Sequence, residues 1–430
     1  MKRSITILLL TRIPPLVLAA AVLVSCSDSS SNPSGTDTDY SSLKIAPPVG
    51  GGIYLGQHQW RNDDMAQFEV AAGQKAALFG NIEYDPDLSV IRWDETLNRM
   101  VFDATRAEEH WRDGRIVFVS AYEATPEPSF VPDFTVDRLL SGEFEPQLRA
   151  LADEFRSFGK PMFFETAREP NGALVPFGLG GFGPHGDKNF EWALANGGLA
   201  DFDPSSFPNA SLYADLGDPT ISDGIERLIA AQRYYYHFFV EEQGLAFLTF
   251  EGMGWAANPF EMMNDQIADD FGVAPGSPGW RLMETTFSYQ YFYPGDAYVD
   301  WVSITWYMTD FGGPHQSNAW HIERLRRTLD KISTIAHGKP VLLVEMGLFD
   351  GSETEPSIKV EKVTDGLTEL LKHPEINGFA MWSKSPDSDT FDFLIRPGTP
   401  EGDAFRSIID ANKDEFYSSV YFTDGSKMAN

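Results

Sequence analysis

The sequence predicts an α/β protein of the (β/α)₈ (TIM) barrel class, and two observations support this prediction. Eight short apolar runs recur along the chain, and most are separated by amphipathic segments of helical length. Neighbouring runs lack the alternating pattern that is typical of β-hairpins, so we expect the strands to be parallel. Residues 50–430 are long enough to form this barrel as one domain with insertions.

Each predicted strand is an apolar run bounded by Gly, Pro or charged residues. The predicted strands are 53–60, 75–86, 115–126, the run after the Lys-Pro pair at 160–161, 245–255, 298–310, 340–345 and 376–383. The predicted helices are 94–112, 144–158, 224–242, 322–336 and 360–371. Between about 179 and 223, clusters of Gly, Pro and Asp indicate a long loop insertion. Its aspartates do not have the spacing of an EF-hand calcium loop, so we expect a solvated loop, with a bound calcium as the alternative. We predict no cofactor, and no metal among the site residues.

The N-terminus has the pattern of a secretory signal. A basic start (MKR) precedes two apolar runs, and the string LVSC at 23–26 resembles a bacterial lipobox. We therefore predict a signal peptide over 1–25 and lipidation of Cys26, with a simple signal peptide and an incidental cysteine as the alternative. Residues 26–49 are rich in Ser, Asp and Thr and are predicted to form a flexible tether. These features predict a protein that is lipid-anchored in the bacterial cell envelope or at the cell surface.

The charge and aromatic content bear on the partners of this protein. The formal net charge is −30, which repels nucleic acids and anionic membrane surfaces. Aromatic residues make up 13% of the chain, as is common both in sugar-binding clefts and in the cores of large barrels. We expect a polysaccharide or oligosaccharide partner, no nucleic acid, membrane association only through the lipid anchor, and a monomer. Because Cys26 is the only cysteine, an intramolecular disulfide is excluded.

Two glutamates at predicted strand ends indicate a chemistry. Glu169 follows the fourth strand in the string AREPNG, and Glu345 ends the seventh strand in VLLVEMG. Catalytic groups of (β/α)₈ barrels lie at the C-terminal ends of the strands, and a pair of carboxyl groups there is what hydrolysis of a glycosidic bond requires. Glu251 and His58 also lie at strand ends, where either a contact with substrate or a purely structural role is open.

These strings resemble glycoside hydrolase family 26, a family of retaining (β/α)₈ glycosidases. The string EPNG at 169–172, followed by Phe-Gly at 177–178, is similar to the acid/base strand of that family. The string VLLVEMG at 341–347 is similar to its nucleophile strand, and Trp-Tyr at 306–307 is similar to the end of its sixth strand. Trp382 matches the tryptophan of its eighth strand.

The resemblance implies a role for each matching residue. Glu169 is the expected acid/base, Glu345 the nucleophile, Tyr307 a hydrogen-bond donor that orients Glu345, and Trp382 a platform for the sugar. Asn171, in the matching string, and Arg168, beside the acid/base, are expected to contact substrate. Glu251 and His58 are candidate substrate contacts because they lie at predicted strand ends, not because of the resemblance. The implied activity is that of a retaining endo-glycosidase acting on a β-linked polysaccharide, with mannan as the first candidate and xylan or glucan as alternatives.

The chain also departs from the family pattern beside the acid/base. The family has His immediately before the acid/base and Arg four residues before it, whereas this chain has Arg168 and Glu165. Pro170 replaces a Met, and the third strand ends in Ala-Tyr-Glu at 121–123 instead of Trp-His. The sequence therefore indicates a divergent relative of this family. A cell-surface glycan-binding lipoprotein on a non-catalytic barrel remains the alternative from another functional class.

Overall fold

Eight parallel strands close into a barrel in the computed structural model of this chain. The structure describes residues 38–59, 65–81, 89–94, 96–97, 99–120, 135–166, 202–309, 316–349, 355–383 and 392–428. Its strands are β1 (Ile45–Ala46), β2 (Ile53–Gln59), β3 (Leu78–Asn81), β4 (Ile91–Asp94), β5 (Arg99–Phe102), β6 (Ile116–Ser120), β7 (Met162–Glu165), β8 (Leu248–Ala256), β9 (Trp301–Tyr307), β10 (Val341–Gly347), β11 (Ile376–Ser383), β12 (Phe416–Tyr417) and β13 (Tyr421–Phe422).

The helices occupy the connections between the barrel strands. They are α1 (Met65–Ala72), α2 (Ala104–Arg112), α3 (Val136–Leu140), α4 (Glu145–Phe158), α5 (Asp223–Tyr236), α6 (Phe260–Phe271), α7 (Pro278–Phe287), α8 (Asn318–Ile335), α9 (Pro356–Leu370) and α10 (Pro400–Ala411). Within the described ranges, none of the helices is both long and apolar enough to cross a membrane.

The strand order confirms the predicted barrel. The sheet runs β2-β3-β6-β7-β8-β9-β10-β11, and β11 pairs in parallel with β2 to close it. Each of the eight predicted apolar runs overlaps one of these strands. The short strand β12 is not one of the eight barrel strands, but it also pairs in parallel with β2.

The predicted helix over 94–112 is wrong in its first half. There, β4 and β5 form an antiparallel pair, in which Ile91 lies opposite Phe102. The side chain of Asp94 accepts a hydrogen bond from the backbone N–H of Leu97, which stabilises a turn in place of a helix. The helix α2 begins only after Asp103, whose side chain caps it by accepting from the N–H of Arg106.

The N-terminal part of the compact unit Asp39–Asn430 closes the base of the barrel. In β1, Ile45 pairs with Phe422 of β13, and its N–H donates to Thr249 Oγ1 at 2.8 Å. The indole of Trp301 donates back to the Ile45 carbonyl at 3.0 Å. Lys44 forms an ion pair with Asp300 at 2.7 Å. Residues 39–49, which the sequence assigned to the tether, are therefore part of the folded unit.

Aromatic contacts show which strand residues face the barrel interior. In β7, Phe164 packs against Phe155 and Phe239, which lie on the helical layer outside the sheet. Phe163 packs instead against Trp301 of β9, inside the barrel. Because side chains alternate along a strand, Glu165 faces the interior with Phe163, one layer nearer the C-terminal ends of the strands.

The described part of the long insertion, residues 202–222, is fastened to α5. Glu226 of α5 accepts hydrogen bonds from the backbone N–H groups of Gly217 and Asp218 at 2.6 and 2.8 Å. Arg233, two turns further along the helix, binds Asp215 through two nitrogens. Apart from two short 3₁₀ turns, this part of the insertion is irregular, as expected for a loop.

A buried carboxylate between α8 and α9 predicts an acid-sensitive contribution to stability. Glu369 is 1% exposed and accepts hydrogen bonds from Arg326, Lys372 and His373. Burial alone would raise the pKa of Glu369, but these hydrogen bonds outweigh it and lower the pKa from 4.5 to about 2. The charged form is therefore the stabilising one, and its contribution is present above pH 4.5 and is lost as the pH falls towards 2.

We expect Glu369→Gln to lower the free energy of unfolding at pH 7 by about 2 kcal/mol, because it weakens the hydrogen bonds that three basic side chains donate to a charged group. The variant should also lose part of the stability change between pH 4.5 and 2, measured by urea unfolding as a function of pH. Glu323, which forms an exposed pair with Arg327 on α8, provides the matched control. Glu323→Gln should change stability by no more than about 0.5 kcal/mol. An equal effect of both substitutions would contradict the assignment.

Candidate active site

The candidate nucleophile Glu345 lies near the C-terminal end of β10 and is 5% exposed. In the pairing of β10 with β9, Glu345 lies beside Thr305, and Gly347 lies beside Tyr307. The hydroxyl of Tyr307 donates a hydrogen bond to Glu345 Oε2 at 2.5 Å. Two residues that the sequence selected from separate strands are thus in direct contact.

The position of the Tyr307 ring depends on a glycine. A Cβ atom at Gly347 would lie 2.4 Å from Cδ1 of Tyr307 and 2.9 Å from the Phe393 ring, far inside the van der Waals limit. The Tyr307 ring also packs edge-on against Phe393, with ring centroids 5.7 Å apart. The string Glu-Met-Gly at 345–347 therefore has two effects. It positions the carboxylate of Glu345, and its glycine leaves the space that the Tyr307 ring occupies.

His58 lies beside Glu345, and Trp382 packs against His58. His58 of β2 is fully buried, and its Nδ1 lies 3.6 Å from Glu345 Oε1 and 3.3 Å from the carbonyl oxygen of Val344. Trp382 of β11 is 7% exposed and is the register partner of His58. The two rings meet edge-on, with centroids 5.0 Å apart.

Two further glutamates face the barrel interior, nearer its base than Glu345. Glu165 and Glu251 are both fully buried, and they are register partners on the adjacent strands β7 and β8. Glu251 is also the register partner of Trp301, which belongs to the layer at the barrel base. Glu251, expected to contact substrate, is therefore placed in the interior, beside the residue that replaces the arginine of the family pattern.

Several of the predicted site residues lie outside the described residues. Glu169, Arg168 and Asn171 fall in 167–201, and Cys26 falls in 1–37. The described chain reaches Thr166, just past the C-terminal end of β7, at the same end of the barrel as Glu345. In the part of the chain that the structure describes, no cluster of three or more His, Cys, Asp or Glu residues could hold a metal ion.

Sequence reasoning missed two neighbours of the site, Phe118 and Phe393. Phe118 of β6 lies edge-on to His58, with ring centroids 4.9 Å apart. Gly80 of β3 makes room for it, since a Cβ there would lie 1.8 Å from the Phe118 ring. The available signal was a glycine, Gly80, inside the predicted strand 75–86. Phe393 follows β11 in a segment without regular structure, and no sequence pattern pointed to it.

Comparison with known proteins adds information on the fold. No family model matches the sequence, and no curated protein matches it. Among solved structures, the catalytic domain of a family 26 endo-β-1,4-mannanase from a Bacillus species is similar, with a TM-score of 0.51. It is 14% identical, and the match covers 89% of this chain and 95% of that one. A family 26 glycoside hydrolase from a Muricauda species matches with a TM-score of 0.50 at 15% identity, over 85% of this chain and 87% of that one.

The chain shares the (β/α)₈ barrel fold of these two structures. At this level of identity the likeness concerns the fold, and the activity must be argued from the residues themselves. The matched portion is nearly the full length of the mannanase domain, so the similarity is to a whole barrel rather than to a few strands.

Proposed function

We propose that this protein is a retaining endo-glycoside hydrolase that cleaves a β-linked polysaccharide by double displacement. The observation that carries the proposal is the contact between Glu345 and Tyr307 at the C-terminal end of the barrel. A nucleophilic carboxylate must be ionised and held in one orientation, and a hydroxyl 2.5 Å from Oε2 favours both.

In this mechanism Glu345 attacks the anomeric carbon while Glu169 gives its proton to the leaving oxygen. The glycosidic bond breaks, and a covalent glycosyl ester with Glu345 forms. Glu169, now ionised, then takes a proton from a water molecule, which attacks the anomeric carbon and releases Glu345 as a carboxylate. Because each displacement inverts the anomeric centre, the product keeps the configuration of the substrate.

The substrate is proposed to be a mannan-type polysaccharide, with xylan or glucan as further candidates. The described site offers the aromatic ring of Trp382 near Glu345, and aromatic side chains pack against the apolar faces of sugar rings. The similar Bacillus structure is named as an endo-β-1,4-mannanase, which supports testing mannan first. An uncharged polymer is also compatible with a net charge of −30, which would repel an anionic one.

The deciding experiment is an assay of reducing ends released from mannan, glucomannan, xylan and β-glucan, with product sizes resolved by chromatography. We expect release of short oligosaccharides from at least one of them. Binding to a polysaccharide without release of any product would instead support a non-catalytic glycan-binding barrel. Affinity gel electrophoresis with the same four polymers provides that measurement.

We further propose that the protein is anchored in the bacterial cell envelope through a lipid on Cys26. The support is the LVSC string after a basic and apolar N-terminus. In a bacterial host, the wild-type protein should incorporate labelled palmitate and sediment with membranes, whereas Cys26→Ser should lose the label entirely and leave the membrane fraction. Equal labelling of both proteins would contradict lipidation at this residue.

A further inference from the structure

We propose that His58 is a positioning residue for Glu345: its ring, fixed between Phe118 and Trp382, directs the Nδ1–H group at the nucleophile's carboxylate. This inference rests on the proposed function, because it assigns His58 a part in the reaction of Glu345. It also changes the role expected from the sequence, which was contact with substrate. A fully buried side chain is better suited to act through its neighbours.

The surroundings of Nδ1 show which ring nitrogen carries hydrogen. Nδ1 lies 3.3 Å from the carbonyl oxygen of Val344, which can only accept a hydrogen bond. Its other neighbour, Oε1 of the Glu345 carboxylate, lies at 3.6 Å and is also an acceptor. Two acceptors on one side require a donor at Nδ1, whatever the protonation of Nε2.

At 3.6 Å, the distance from Nδ1 to Oε1 is longer than a hydrogen bond. Catalytic hydrogen bonds are often long in the free enzyme and tighten when substrate binds. At 3.6 Å the N–H already stabilises the carboxylate charge in a buried, low-dielectric setting. A small rotation of the Glu345 side chain would bring Oε1 within hydrogen-bonding distance of the Nδ1 atom of His58.

The ring of His58 has little freedom to turn away. Phe118 and Trp382 both meet it edge-on, at interplanar angles of 82° and 85°. These contacts come from β6 and β11, while His58 itself is on β2, so three strands fix the ring. The same arrangement links the proposed sugar platform, Trp382, to the nucleophile.

Tyr307 and His58 therefore lie next to different oxygen atoms of the Glu345 carboxylate. Tyr307 donates to Oε2 from β9, and His58 faces Oε1 from β2. The nucleophile must start as an anion and return to one in the second displacement, so an N–H directed at it favours both end states. Because His58 does not reach the surface, loss of this group should lower kcat and leave KM nearly unchanged.

Three substitutions test this role by steady-state kinetics on the polysaccharide that the wild-type protein hydrolyses best. His58→Phe keeps a ring but has no donor, and kcat should fall about 10- to 100-fold, with KM within about twofold. His58→Asn places an amide N–H near the position of Nδ1 and should recover most of this loss. His110→Phe is the control, because the half-buried ring of His110 is also stacked on an aromatic side chain, Phe79 of β3, and it should leave kcat unchanged.

A full kcat in His58→Phe, or equal losses in the Phe and Asn variants, would overturn the inference. A fall in kcat that is explained by a lower melting temperature would also overturn the inference. The melting temperature of each variant is therefore measured alongside kcat. Tyr307→Phe, which removes the donor to Oε2, provides a reference for the size of the effect.

A second measurement does not depend on turnover. The chain has 8 histidines, and ¹⁵N NMR of histidine-labelled protein, assigned with His58→Phe, reports whether Nδ1 carries hydrogen. We expect a protonated Nδ1 whose signal shifts in Glu345→Gln. An unprotonated Nδ1, or a signal insensitive to Glu345→Gln, would overturn the inference even in an active enzyme. If instead the NMR result holds and no polysaccharide is cleaved, the proposed function fails and the contact stands without its catalytic role.

Discussion

Glu345→Ala is expected to reduce hydrolysis of the best polysaccharide substrate by on the order of 10⁴-fold or more, as removal of a covalent nucleophile does in other enzymes. The reason is that no glycosyl ester can form without this carboxylate. The loss should appear in kcat, because substrate binding through Trp382 and the rest of the cleft is retained. Release of reducing ends over time, at saturating substrate, measures it.

Chemical rescue separates loss of the nucleophile from loss of the fold. In Glu345→Ala the space of the carboxylate is open to a small anion, so added azide should attack the anomeric carbon of an activated aryl glycoside in its place. The product is then a glycosyl azide of inverted configuration. Glu323→Ala, at an exposed ion pair on α8, serves as the control and should keep full activity. More than a tenth of wild-type activity in Glu345→Ala would contradict its assignment.

Glu169→Gln is expected to lower polysaccharide hydrolysis by about 10²- to 10⁴-fold, the range of general acid–base catalysis. The sugar alkoxide that leaves a polysaccharide is a strong base and needs a proton from the enzyme. A dinitrophenolate needs none, so the first displacement on a dinitrophenyl glycoside should remain fast. The glycosyl ester then accumulates, since the second step lacks its base, and a burst of dinitrophenolate should precede a slow steady state.

The comparison of the two leaving groups is the control for this prediction. If Glu169→Gln loses activity on the dinitrophenyl glycoside as severely as on the polysaccharide, Glu169 does not act as the acid. If neither substrate is affected, another group protonates the leaving oxygen. In both cases the pairing of Glu169 with Glu345 would be wrong, while Glu345 could still be the nucleophile.

The barrel was predictable because its information is local. Each strand is a short apolar run ended by a turn residue, and each can be recognised without knowing its neighbours. The β4–β5 hairpin was missed because its residues also fit a helical spacing, and the turn at Asp94 decided between the two. The sequence assigned β1, which closes the barrel base, to the tether. Its partners Thr249, Trp301 and Phe422 are distant in sequence, so no local pattern revealed these contacts.

The site was predictable only in part, because some of its contacts join residues that are distant in sequence. The positions of Glu345 and Tyr307 follow from strand ends, and the structure brings these two into contact. The contact between His58 and Glu345 arises from closure of the barrel through β11 and β2, and no local pattern encodes it. The depth of Glu251 likewise depends on the register of β8 against β9, which a single sequence does not reveal.

The stereochemistry of the first product tests the central claim most directly. Proton NMR during hydrolysis of a short β-linked oligosaccharide, chosen from the best polymer, shows which anomer of the new reducing end appears first. Double displacement through Glu345 predicts the β-anomer at early times, followed by slow mutarotation to the equilibrium mixture. Initial appearance of the α-anomer would show direct attack by water and would contradict the role of Glu345 as nucleophile.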